Sequence, residues 1–419
     1  MKKIREGIIL SKDILYFDFT ASGLAYQPIE DKIMQILQTY ANTHSEVSSS
    51  AITTNAHYER AREDLKKALE IDESFYVLPT GTGATGAIKK FQELLGLYIP
   101  PRTRARYNVN PKELPVVFVG PYEHHSNEIS FREGLCEVVR IPLDALQNID
   151  LKAFEEKLQE YKDREIIASF SVASNVTGVL SDYKNIYKLV KSFGGVLCLD
   201  SAAASPYINI DCNYYDALFL SPHKLLGGVG SCGLLVIKKE LCTDTKPTFA
   251  GGGTVAYVSR KSHNFLEDFE LLEDAGTPGI LQFIRASLAY NLRNEIGLEW
   301  IKQKEKELKL YFGTRVKEMK GVKLYCSFNQ EKLPIFSLNF EGINPYDISQ
   351  FLSDNYGIQT RAGCSCAGPY GHDLLGLSDG QSFDEKPGWL RISIHFTHTT
   401  DEIDTLLKAL KEAIEKLAK

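Results

Sequence analysis

The sequence predicts an α/β fold, with a large domain on a mixed, mostly parallel sheet and a smaller α+β C-terminal domain. Three observations lead there. Between about residues 26 and 240, apolar runs alternate with segments of helical period. Nearly every run ends in small, polar or ionisable residues, where an α/β sheet presents its ligands. From Gln282 a long helical stretch, interrupted near Gly297, leads to two more apolar runs and a closing amphipathic helix. The expected divisions are an N-terminal segment over 1–25 packing near the functional site, a large domain over 26–285 and a small domain over 286–419.

Each element has a local reason. Residues 14–19, Ile-Leu-Tyr-Phe-Asp-Phe, read as a strand, and Thr20 to Ala25 as a small-residue loop that lets backbone approach a ligand. Pro28 suits the first turn of a helix with Ile29, Ile33, Ile36, Leu37 and Tyr40 on one face. The Ser/Thr-rich stretch 42–55, with His44, has no periodicity and reads as a loop; Tyr58, Ala61, Leu65 and Leu69 mark the next helix. Strands are expected at 74–79, 116–119, 166–171, 196–199, 215–220 and 233–237, and helices at 150–161 and 182–193, the second stopped by Gly194. In the small domain, 335–340 and 390–394 read as strands, and Ile403, Leu406, Leu407, Leu410, Ile414 and Leu417 line the last helix.

The strand ends hold the candidate chemistry. Thr82, Gly83, Ala84 and Thr85 lie in a strand–turn–helix junction whose N–H groups and hydroxyls suit an anion. Gly81, Gly83 and Gly86 also spell G-x-G-x-x-G, so a dinucleotide competes for this turn. That fingerprint wants an acid about 20 positions on. The chain has Pro100-Pro101-Arg102-Thr103-Arg104-Ala105-Arg106 there, which is an exposed loop or, on an NADP reading, a 2′-phosphate site. His124 and His125 follow a strand and are open to metal binding, acid/base work, stacking on an aromatic cofactor, or no role. Asp200 either caps the next turn or faces a protonated ring nitrogen. Lys224, in Ser221-Pro222-His223-Lys224, sits between two apolar runs. Partial burial there lowers an amine's pKa and makes it a nucleophile fit for a Schiff base. The convergence of these residues on strand ends weighs more than any single motif.

Arg361-Ala362-Gly363-Cys364-Ser365-Cys366 is the second concentration of chemistry. Its C-x-C has His372 nearby but no second close pair, so no metal is expected. A loop thiol among arginines reads as reactive, because positive charge favours thiolate. Arg361 and Arg391 are surface charges or a clamp on a substrate carboxylate. The other cysteines, Cys136, Cys198, Cys212, Cys232, Cys242 and Cys326, read as scattered free thiols rather than a disulfide framework.

Composition narrows the class. The 419 residues are 43% hydrophobic and 24% charged, with a net charge of -6. An acidic balance argues against nucleic acid or an anionic membrane as partner. No run approaches the roughly 18 apolar residues of a membrane span, and no apolar signal region follows Met1, so a cytoplasmic protein is expected.

Taken together, these motifs resemble a fold-type I pyridoxal-phosphate enzyme of the class V aminotransferase family, nearest to the cysteine desulfurases and selenocysteine lyases. The resemblance rests on Glu123-His124-His125-Ser126-Asn127, Ser174-Asn175-Val176-Thr177-Gly178, Asp200, Ser221-Pro222-His223-Lys224, Ala275-Gly276-Thr277-Pro278 and the Arg361–Cys366 loop, and spans nearly the whole chain. It implies pyridoxal 5′-phosphate as cofactor. Lys224 would form the Schiff base and act as proton-transfer base, Asp200 would pair with the ring nitrogen, and His124 would stack on the ring. Thr82, Gly83, Ala84, Thr85, Ser221 and His223 would hold the phosphate. Thr277 matches a position that reaches the neighbouring subunit's phosphate, which implies a homodimer. Asn175 would lie at the cofactor and, with Arg391 and nearby Arg361, bind the substrate carboxylate. Cys366 matches the nucleophile that takes sulfur as a persulfide.

The implied reaction removes sulfur or selenium from L-cysteine or L-selenocysteine to give L-alanine, with a sulfur-acceptor protein as a further partner. The alternatives are a class V aminotransferase or other pyridoxal-phosphate lyase on another small amino acid, an NADP-binding oxidoreductase, and an inert scaffold, against which Lys224 and Asp200 speak. Three features depart from the desulfurase pattern. Ala203 stands where a glutamine commonly faces the cofactor's phenolate oxygen. Gly363-Cys364-Ser365 replaces a histidine-rich run and adds a second thiol, either a resolving partner or a spare. The Gly/Asp-rich stretch between Cys366 and Arg391 is long, and reads as a lid, an acceptor-docking loop or a plain insertion.

Overall fold

Six of the predicted strands, joined by an edge strand the sequence did not reveal, pair into one seven-stranded sheet. The computed structural model describes residues 2–43, 45, 47–106, 110, 113–325, 330–378 and 387–418; His44, Cys326 and part of the Gly/Asp-rich stretch lie outside them. The strands are β1 (Phe75–Thr80), β2 (Val116–Val119), β3 (Glu137–Arg140), β4 (Ile166–Ser171), β5 (Val196–Asp200), β6 (Ala217–Leu220) and β7 (Gly233–Lys238). In space they run β1-β7-β6-β5-β4-β2-β3. β7 is antiparallel to both neighbours and the other pairings are parallel, so the sheet is mixed and mostly parallel, as predicted. β2, β4 and β6 are buried along their whole length, as unbroken apolar strands covered on both faces must be. β3, Glu-Val-Val-Arg, is only half-buried, and its charged ends hid it from a search for apolar runs.

Helices α1 (Gln27–Leu37), α2 (Ser49–Ala68), α3 (Gly83–Leu94), α4 (His125–Arg132), α5 (Leu151–Glu160), α6 (Tyr183–Ser192) and α7 (Ile280–Ile296) cover the sheet. Ile33, Leu65, Phe154, Ile186 and Tyr290 fill one face, while Ile88 and Phe91 of α3 and Phe131 of α4 fill the other. The loop expected over 42–55 is corrected, because α2 begins at Ser49 behind an N-cap at Ser48. Ala51 and Thr54 are buried, and the Thr54 hydroxyl accepts from the Ala41 amide at 3.0 Å. Packing overrides the weak local helix signal of a Ser/Thr-rich stretch.

Gly297, with φ +95°, separates α7 from α8 (Leu298–Lys317). A second unit follows, with β8 (Val322–Tyr325), β9 (Ile335–Phe340), α9 (Pro345–Tyr356), β10 (Arg361–Gly363), α10 (Gly368–Leu375), β11 (Trp389–Ser393) and α11 (Thr400–Leu417). Its antiparallel sheet runs β8-β9-β11-β10. Leu308, Phe312, Leu338, Ile392, Leu406 and Leu410 form its own core. The expected boundary after residue 285 is displaced, since it cuts α7, whose Phe283, Ala286, Ala289 and Tyr290 all belong to the large-sheet core. The N-terminal segment serves both units. Phe17 lies in the second core and stacks on His398, and Phe19 stacks on His395, with ring centroids 4.3 Å and 3.9 Å apart. Thr20 and Ala21 thereby reach the mouth of a cleft between the units.

Candidate active site

The turn after β1, the ends of β2, β4, β5 and β6, and the edge of the small sheet line an open cleft with a cavity volume of about 190 Å³. Every predicted site residue except Thr277 lines it. Their positions follow from topology: the parallel strands deliver His124, Asn175, Asp200 and Lys224 to the same end of the sheet.

One wall is built for an anion. Gly83 opens α3 with φ +53°, and a Cβ there would stand 2.8 Å from both Ser221 Oγ and His223 Cε1. The Ala84 amide donates to Ser221 Oγ at 2.8 Å. The amides of Gly83 and Thr85 remain, as first-turn donors that no intrahelical carbonyl can reach. The Thr82 and Thr85 side chains are exposed to the cleft, the latter 2.7 Å from Ser126 Oγ. Free amides and hydroxyls at a helix N-terminus suit a phosphate. The dinucleotide reading lacks its topology, because β1 is an edge strand whose one neighbour, β7, runs antiparallel, where that fold has a central strand between parallel neighbours. Gly83→Ala is expected to weaken pyridoxal-phosphate uptake by about tenfold, from the left-handed backbone and the lost space, with the far-UV spectrum retained. Titration of the cofactor's absorbance checks this.

The floor holds ionisable groups in deliberate opposition. Asp200 is buried; its Oδ1 accepts from the Ala202 amide at 2.9 Å, and Oδ2 takes no hydrogen bond among the described residues. Burial raises its pKa, against the Ala202 amide and the Lys224 charge. Lys224 is half-buried with no hydrogen bond or ion pair among the described residues, and desolvation lowers its pKa to about 8, opposed mainly by Asp200. His124 Nδ1 accepts from the Ser126 amide at 3.1 Å, which puts the proton of the neutral ring on Nε2. Burial, then Lys224, holds His124 at about 4, and the same two causes hold His223 at about 4. Below the floor, Glu123 is buried and pushed up to about 7 by desolvation, although Ser171 and Asn127 donate to it. It ties the end of β4 to the start of α4.

The small sheet supplies two opposed cations. Arg361 on β10 pairs directly across from Arg391 on β11, and both line the cleft. Like charges in direct cross-strand register repel. Arg391 is relieved by Asp18 at 2.7 Å and by the Asn175 carbonyl at 3.1 Å, and its Nε has no partner. Among the described residues Arg361 makes no hydrogen bond or ion pair, which leaves its charge for an anionic ligand. Asp18 as the partner was missed in the sequence, although a carboxylate between Phe17 and Phe19 signals one.

Asn175 lines the cleft and also touches the cysteine loop. Its Nδ2 donates to the Ser365 carbonyl at 2.7 Å and its Oδ1 is buried without a partner. Asn175 thus pins the cysteine loop, and the second hydrogen on Nδ2 leaves it able to bind a carboxylate beside Arg391 and Arg361. Cys366 lines the cleft and Cys364 does not. Thr277 lies apart and exposed, accepting from Asn42 Nδ2 at 2.9 Å.

The donor set fits pyridoxal phosphate: a first-turn phosphate seat that a Cβ would fill, a buried carboxylate with one free oxygen for a ring N–H, a flat neutral imidazole, and a low-pKa amine. Residues 15–406 match the aminotransferase class-V family model. A probable cysteine desulfurase of Pyrococcus abyssi is 26% identical, with 99% of this chain and 98% of that protein aligned. A probable cysteine desulfurase of Staphylococcus epidermidis is 27% identical, over 98% of this chain and 95% of that one. Among solved structures, a cysteine desulfurase of Thermococcus onnurineus shares the fold with a TM-score of 0.84 at 24% identity, covering 99% of this chain and 98% of that one. One of Escherichia coli gives 0.81 at 24% identity, covering 100% and 99%.

Proposed function

The chain belongs to the aminotransferase class-V family, and from that premise we propose that it is a pyridoxal-phosphate-dependent cysteine desulfurase. It takes sulfur from L-cysteine, or selenium from L-selenocysteine, and leaves L-alanine. The observation that carries the reading is Cys366, a thiol lining the same cleft as Lys224, Asp200 and the arginine pair.

In this reading Thr82, Gly83, Ala84, Thr85, Ser221 and His223 hold the cofactor phosphate, Asp200 keeps the ring nitrogen protonated, and His124 packs on the ring. When bound, pyridoxal phosphate supplies an electron sink for the charge left on the substrate's α-carbon. The guanidinium of Arg361 and the free Nε of Arg391 orient the substrate carboxylate. Lys224 Nζ takes the α-proton; its pKa, lowered to about 8, leaves about half of the amine neutral near pH 8 and more above it. His124, neutral with its proton on Nε2, offers a hydrogen-bond donor there. The Cys366 thiolate attacks the substrate sulfur; a persulfide forms as the carbon–sulfur bond breaks, and the β-carbon keeps that bond's electron pair and is protonated to the methyl group of alanine.

A homodimer accords with Thr277 at the surface and with the exposed apolar residues Phe249, Tyr257 and Val258, on or near the Val255–Val258/His263–Phe265 hairpin. A second reading, transamination or another elimination on a small amino acid, draws on Ala203, which lines the cleft in place of an amide donor. Assays with L-cysteine, L-selenocysteine and amino acid/keto acid pairs separate the two. L-Cysteine is expected to give alanine and sulfide, and Cys366→Ser to cut that turnover by about 10²- to 10⁴-fold, as for loss of a group acting on the reacting atom. Undiminished turnover of L-cysteine by Cys366→Ser sinks the persulfide route. Faster product formation from a keto acid pair favours the second reading.

A further inference from the structure

Sulfur that reaches Cys366 is held in a place it cannot leave by loop motion. The His125 amide donates to the Cys366 carbonyl at 2.8 Å, and the Gly368 amide donates to His125 Nε2 at 2.8 Å. Asn175 Nδ2 holds the Ser365 carbonyl at 2.7 Å, and Trp389 Nε1 donates to Ser365 Oγ at 3.2 Å. The loop is thus latched to α4, to the end of β4 and to the small sheet. A carrier that swings its sulfur out to an acceptor would have to break all of these bonds.

The same latched loop carries a second thiol two residues before the first. Cys364 to Ala367 form one tight turn, closed by the Ala367 amide donating to the Cys364 carbonyl at 3.1 Å. Ser365 and Cys366 have φ +53° and +57°, left-handed values that non-glycine residues keep only when surrounding contacts hold them. Cys364 and Cys366 are both free and both partly exposed, but only Cys366 lines the cleft. Two residues apart, their Cα atoms lie within about 7 Å, inside the span over which two cysteine sulfurs meet.

We propose that Cys364 is a second sulfur-carrying residue, which takes the persulfide sulfur from Cys366 and presents it to a thiol acceptor outside the cleft. This rests on the desulfurase reading above. The Cys364 thiol gives up its proton, and its thiolate attacks the terminal sulfur of the Cys366 persulfide. The sulfur–sulfur bond at Cys366 breaks as a new one forms at Cys364. The electron pair returns to Cys366 as thiolate, ready for the next substrate. One sulfur–sulfur bond replaces another, so no oxidant or reductant is needed. The acceptor's thiolate then repeats the step on Cys364, with dithiothreitol as the acceptor probe in the test.

Holoenzyme mixed with one equivalent of L-cysteine, quenched over time with an alkylating agent and digested for mass analysis, locates the sulfur. It is expected on Cys366 first and on Cys364 afterwards. In Cys364→Ser it stays on Cys366, and steady-state sulfide release to dithiothreitol falls roughly tenfold. Wild-type protein that makes alanine but never holds sulfur on Cys364 overturns the relay, whatever the variant's folding. A Cys364–Cys366 disulfide with free sulfide, or wild-type sulfide release by Cys364→Ser, also overturns it. No alanine and no protein-bound sulfur overturns the desulfurase reading, and the relay with it.

Discussion

Lys224→Ala is expected to lose the near-visible band of protein-bound pyridoxal phosphate and to cut L-cysteine turnover by about 10²- to 10⁴-fold. The lysine is the only amine lining the cleft and has no ion-pair partner among the described residues. Its lowered pKa also sets a pH dependence with a definite sign. The neutral amine is the form that reacts with the cofactor aldehyde, so uptake of pyridoxal phosphate by cofactor-free protein should quicken as pH rises and level off above about 8. A rate independent of pH between 6 and 9 would remove Lys224 as the reacting group.

The same lysine should weaken the cofactor-free fold. A base whose pKa is lower folded than unfolded costs stability wherever it is charged in both states. The penalty is therefore full below about 8 and gone above the ordinary lysine value of 10.5. Allowing for partial exposure, Lys224→Ala should gain about 1–3 kcal/mol at pH 7 and nothing near pH 10.5, measured by denaturant unfolding without cofactor. A destabilised variant at pH 7 would mean that packing of the lysine stem outweighs its desolvation.

Arg391→Ala is expected to damage both binding and folding, whereas Arg361→Ala affects binding alone. Arg391 is buried on Asp18 and the Asn175 carbonyl, and burial, against Asp18, lowers its pKa. Its removal strands Asp18, and losing one partner of a buried pair costs about 3–5 kcal/mol. Arg361 is half-buried and unpaired among the described residues, so its loss relieves cross-strand repulsion while removing one of the two cations proposed to hold the carboxylate. The measurements are urea unfolding and KM for L-cysteine. Arg391→Ala should show a large stability loss and a raised KM; Arg361→Ala should show a raised KM with little change in stability. Equal stability losses in the two variants would contradict the division of labour between them.

The sequence by itself determined the chemistry and most of the frame. Apolar-rich runs such as Ile166–Ser171 and Ile335–Phe340 coincide with their strands because burial on both faces selects apolar residues, with only a few small or polar ones between them. Asp200 and Lys224 were legible because an ionisable residue beside such a run has to be used or paired. The tertiary structure alone decided what depends on residues far apart in the chain. Ser49 to Asn55 is helical because Ala51 and Thr54 are buried, which their own propensities do not foretell. Asp18 belongs to Arg391 because strand register crosses more than 370 positions. Asn175 anchors the cysteine loop because the fold brings the Ser365 carbonyl, 190 positions on, to its Nδ2. Cys366 faces the cleft and Cys364 does not, because contacts from three other elements fix a left-handed turn that spacing cannot specify.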